Sequence, residues 1–143
     1  MLTPPRVAQS RPAVRLLLLC ALSMAGCSGN KLVPVSGTVT RHGLAVPNLG
    51  VHFVPEKGLG SHGLTDQAGR FELLLSTGEQ GAVLGPHKVW VQLPADPQNR
   101  SALQRRASEP DMEAMLIKYG NSETTPLTVE VKEGQEDIKV ILD

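Results

Sequence analysis

The sequence predicts an all-β fold of about seven antiparallel strands arranged as a Greek-key β-sandwich, and three observations carry that expectation. Fourteen Gly and 11 Pro stand against two Phe, one Tyr and one Trp, the usage of a chain with short elements and frequent turns. Apolar residues recur at alternate positions in run after run, the period of a strand with one buried face. Finally, Leu64-Thr65-Asp66-Gln67-Ala68-Gly69-Arg70-Phe71 couples a turn to the start of a strand. Asp66 suits the first position of a type I turn, and Gly69 suits the positive φ of a closing bulge. At 143 residues the length is that of one domain.

Residues 1–26 read as an export signal. Arg6, Arg11 and Arg15 precede any acid, the first carboxylate being Glu56, and an apolar run from Leu16 to Ala25 follows, broken by Ser23. That run is about half the length a bilayer-spanning helix requires, so it reads as a signal core. Leu22-Ser23-Met24-Ala25-Gly26-Cys27 then resembles a bacterial lipoprotein box, with Met24 where that pattern prefers Leu. The resemblance implies cleavage between Gly26 and Cys27 and lipidation of the Cys27 sulfur, with membrane lipid as the partner. Two or more acyl chains are enough for stable anchoring without a span. Cys20 follows the large Leu19 and leaves with the signal. Ser28 after the cysteine resembles the outer-membrane-sorted version of the box, so the expected address is the cell envelope. Residues 27–32 form the lipidated Cys and tether, and 33–143 the domain.

The cleaved chain would keep a single Cys and therefore no internal disulfide. It would carry 11 basic against 14 acidic residues, a charge of −3 that argues against nucleic acid and against a polybasic membrane patch.

Within the domain, Val33, Val35 and Val39 share a face against Thr38 and Thr40, with Pro34 marking an edge strand or a strand start. Arg41-His42-Gly43 turns the chain. Val51 and Phe53 are the next inward pair, ended by Pro55. Residues 61–65 lead into the Asp66–Gly69 turn, after which Phe71, Leu73 and Leu75 alternate with Arg70, Glu72 and Leu74 as the returning strand of a hairpin. From Gly85, the positions Val89, Val91 and Leu93 alternate against Lys88, Trp90 and Gln92, which leaves Trp90 on the face opposite the core. Residues 94–118 form an insertion: a long polar surface loop, mobile or partly helical, with Arg100, Arg105 and Arg106, then a short helix over about 109–117 capped by Ser108. The chain closes with the alternating runs 126–132 and 137–142 around Gly134, expected as a terminal hairpin.

Val35-Ser36-Gly37-Thr38-Val39, Thr65-Asp66-Gln67-Ala68-Gly69-Arg70-Phe71 and Gly85-Pro86-His87-Lys88-Val89-Trp90-Val91 together resemble carboxypeptidase-regulatory-like or transthyretin-like (prealbumin-like) β-sandwich modules. The tail 117–131 is similar to the close of small planctomycete-type lipoproteins built on that module. The resemblance covers about residues 33–142 and departs over 94–108. It implies fold and address, with Asp66, Gly69, Phe71 and Gly85 as turn and structural residues, and it brings no catalytic residue or cofactor.

No enzyme emerges from the residues. His42, His52, His62 and His87 include no pair at metal-ligand sequence spacing, although 52 and 62 fit neighbouring strands, so no metal is expected. Related dioxygenases use two Tyr and two His, and Tyr119 is the single Tyr; hydroxyisourate hydrolases close on Tyr-Arg-Gly-Ser, unlike residues 138–143. No Gly-x-Ser-x-Gly elbow occurs, and Asp66 with Gly69 offers too few oxygens for calcium. The expected function is a non-enzymatic structural or protein-interaction module at the envelope, meeting an unidentified protein or polysaccharide. The alternative is carbohydrate binding by Trp90 with Lys88 on an exposed sheet face.

Overall fold

A computed structural model of the chain describes residues 31–96, 98–135 and 137–143. The strands are β1 (Leu32–Val33), β2 (Ser36–Arg41), β3 (Leu44–Ala45), β4 (Gly50–Pro55), β5 (Ser61–Leu64), β6 (Arg70–Glu72), β7 (Leu74–Leu75), β8 (Ala82–Val83), β9 (Gly85–Gln92), β10 (Thr128–Val131) and β11 (Ile138–Ile141). Two helices, α1 (Arg100–Ala107) and α2 (Pro110–Tyr119), lie between β9 and β10. The described chain is therefore predominantly β, and its eleven strand segments exceed the expected seven because the runs 32–40 and 70–75 are each split in two and the short strands β3 and β8 are added.

The larger sheet has the order β10-β9-β4-β5-β7 and is antiparallel throughout. A second sheet is centred on β2, flanked by β11 on one side and by β3 and β6 at successive positions along its length. The β2–β11 pairing is parallel, the exception to the antiparallel rule. A short pair, β1 with β8, completes the set. Alternate residues of both large sheets enter one core: Val39, Phe71 and Val140 from the second, Val51, Phe53, Val89, Val91 and Val131 from the first. Each such side chain removed from water contributes about 1.5–3 kcal/mol before entropy is subtracted.

Two expected hairpins are corrected. The runs 126–132 and 137–142 do not pair with each other: β10 adds to β9 and β11 adds to β2, so the Gly134 turn crosses between sheets. Alternation tells which face a strand buries, and both runs do bury it, through Val131 and through Ile138, Val140 and Leu142. It does not tell which edge the strand joins.

The Asp66–Gly69 turn forms as read. Gly69 N–H donates to the Asp66 carbonyl (3.0 Å), Asp66 N–H donates to the Arg70 carbonyl (2.8 Å), and Gly69 has φ +72. The Asp66 carboxylate accepts from the N–H groups of Ala68 (2.8 Å) and Arg70 (2.9 Å). Beyond the turn, however, β6 pairs with β2 across the core, and β7 returns to β5. Leu73 is the joint: fully buried, it donates to the Val35 carbonyl (2.9 Å) and accepts from Gly81 N–H (2.7 Å).

Pro34 lies in neither an edge strand nor a strand start: it falls in the break between β1, which ends at Val33, and the central β2, which begins at Ser36. The short helix is present as α2, running to Tyr119, and the helical alternative for the preceding segment is the one that forms, as α1. Ser108 does not cap α2. Its hydroxyl donates to the Gln104 carbonyl (2.9 Å) at the end of α1, and Glu109 holds the N-cap position ahead of Pro110. Met115 and Tyr119, one turn apart, are the buried face of α2, with Met112 and Leu116 beside them. The Tyr119 hydroxyl donates to the Asp143 carbonyl, tying the helix to the chain end.

Candidate functional site

The five-stranded sheet turns one face to the core and the other outward, and the outward face carries the chain's densest collection of rings. Strand register sets them in a row: Leu74 on β7 is opposite His62 on β5, His62 opposite His52 on β4, and His52 opposite Trp90 on β9. The His52 and Trp90 rings are stacked, centroids 4.1 Å apart and planes within 13°. His52 and His62 follow at 6.1 Å and 24°. Leu64, Leu74 and Val54 leave apolar surface exposed on the same sheet.

Trp90 is thus on the non-core face, as alternation predicts, and half-buried. One face of its indole is covered by His52, so it stands as a member of a stack and not as a bare platform. Lys88 shares the face one row away, opposite Val54 and Thr128, with its ammonium 3.5 Å from the Glu123 carbonyl. The stacking of His52 on Trp90 is absent from the sequence reading, because it requires β4 to lie between β5 and β9. Burial, and secondarily the neighbouring His62, lower the His52 pKa below the ordinary histidine value.

The burial of His87, one of the four histidines weighed for a metal, is what sequence reasoning missed. His87 belongs to the same alternation as Val89 and Val91 and is 1% exposed. Its Nδ1 donates to the Gly85 carbonyl at 2.9 Å, since a carbonyl only accepts, and Gly85 takes φ +113 at this point. Nε2 is then a lone pair with no donor among the described residues, against the Phe53 ring at 6.0 Å. Burial lowers the His87 pKa, partly opposed by the Gly85 hydrogen bond.

A group whose pKa is depressed by folding binds more protons when unfolded. Stability is therefore expected to be full above about pH 6.5 and to fall as the pH drops below that value towards the lowered folded pKa. Urea unfolding at successive pH values should show that slope. It should flatten in His87→Leu, with the remainder belonging to His52; an unaltered slope would place the titration elsewhere.

On the second sheet, an open trough runs past Ser36, Thr38, Asp66, Arg70, Glu72, Asp137 and Lys139. Its charges are mixed and exposed, Asp137 pairing with Lys139 and accepting from the Thr38 hydroxyl (3.3 Å). We place the site at the rings, where the side chains converge. Asp66 and Gly69 serve the turn, Phe71 the core, and Gly85 the start of β9. Met24, Ala25, Gly26 and Cys27 lie outside the described residues. Among the described residues no helix is long and apolar enough to cross a membrane. Comparison of the chain with protein families, with curated proteins and with solved structures gives no match.

Proposed function

We propose that the chain is an exported lipoprotein of the cell envelope, held to membrane lipid through Cys27. Its domain, a Greek-key β-sandwich of transthyretin-like type, serves there as a non-enzymatic structural or protein-interaction module. The observation that carries this reading is the order basic start, apolar run, Met24-Ala25-Gly26, Cys27, because each part has a physical role in export, cleavage or anchoring. The outward ring row, with Leu64 and Leu74, is the surface best suited to meet a protein or polysaccharide, since flat, partly apolar and aromatic surface is what interfaces favour.

An anchor at Cys27 also orients the domain. Residues 28–30 reach at most about 11 Å when extended, so the end that carries Lys31 would face the bilayer. Lys31 pairs there with Glu133 of the β10–β11 turn and accepts from Leu84 N–H. Cys27→Ala is expected to move the protein out of the membrane fraction. Unchanged membrane fractionation of the variant overturns the anchor.

A further inference from the structure

We propose that His52 and His62 form a two-imidazole site for a borderline divalent transition metal, with copper(II) held most tightly. The proposal is independent of the lipid anchor. Imidazole nitrogen is the ligand such ions share, and affinity for a given nitrogen site rises through the first row to copper before falling at zinc.

The geometry supplies what two ligands need. His52 and His62 are direct cross-strand partners on one face, and His62 is exposed. Two nitrogens held about 2.0–2.1 Å from one ion put their ring centroids about 5 Å apart. The observed 6.1 Å, with planes 24° from parallel, closes by an approach of about 1 Å together with rotation of the exposed His62 ring about its side-chain torsions, which turns its nitrogen toward the shared ion.

His52 is already ordered. The Trp90 indole stacks on it at 4.1 Å, so its rotamer entropy is largely spent before an ion arrives. Among the described residues no third His, Cys, Asp or Glu joins the pair. The remaining positions of the ion would be open to water or to a ligand carried by another molecule.

Trp90, the chain's single tryptophan, makes the test direct. Copper(II) chloride is titrated into the full chain in detergent micelles while tryptophan emission is followed, and X-band EPR is recorded at one equivalent. The expected result is saturable quenching at one copper per chain, with hyperfine coupling to two nitrogens. His62→Ala, which alters an exposed side chain, should weaken binding at least tenfold and reduce the coupling to one nitrogen. His52→Ala should do the same, and His42→Ala, at a distant turn, should bind as wild type. Quenching that is equal in His62→Ala and wild type, or that appears only at millimolar copper, overturns the site and marks the binding as adventitious.

Discussion

Gly69→Val is expected to remove about 3 kcal/mol or more of stability, enough to lower the melting temperature by roughly 10–20 °C. Two causes add. At φ +72 an L-residue with a branched Cβ is sterically disfavoured. A Cβ there would also sit 2.6 Å from the Val39 carbonyl oxygen and 3.2 Å from both the Ala45 Cβ and Val46 N. That oxygen cannot retreat freely, because it accepts from Val46 N–H (3.1 Å), while Val39 N–H donates to Gly69's own carbonyl (2.8 Å). The turn is wedged along β2 between β3 and β6, so the whole junction must open to accommodate a side chain.

Gly134→Val is the control. Gly134 has φ +71, but a Cβ there meets nothing within 4 Å. It should show the conformational part alone, about 1–2 kcal/mol. Equal melting temperatures for the two variants would mean that the close approach at Gly69 contributes nothing.

Phe53→Ala is expected to have the largest effect of any core truncation, about 3–5 kcal/mol. Phe53 is fully buried on β4, the centre of the larger sheet, and reaches the Phe71 ring of the second sheet at 5.9 Å. Removing the ring deletes contact between layers, not within one. The surroundings are strands held by ladders on both sides of β4, so the site cannot collapse to refill the volume. The new cavity would also open onto His87, whose unpartnered Nε2 gives it a polar wall. Chemical unfolding of the two proteins measures the difference. A loss under about 1 kcal/mol would show that the layers do not meet at this ring.

Much of this was legible residue by residue. The inward positions Val33, Val35, Val39, Val51, Phe53, Val89 and Val91 follow from alternation, and all are buried. The Asp66–Gly69 turn was legible because its hydrogen bonds close within five residues and its φ requirement falls on one glycine. The outward placement of Trp90 followed from the same period. The ring row did not, because it depends on β4 lying between two strands that are distant in sequence. His87 was legible in principle, sharing the parity of Val89, but a histidine in that run reads as polar until its packing is known.

The expected export signal and the strand faces are thus readings that the sequence offers by itself. A signal is read as a linear string, and a period of two is set by the backbone's own geometry. Tertiary structure alone decided that the last two strands part company, that the strand after Gly69 breaks at Leu73, and that His62, His52 and Trp90 stand in line. The physical reason is that a strand's two edges offer the same N–H and C=O groups to any comer. The partner is chosen by how all the buried faces fit into one core, and no local stretch contains that information.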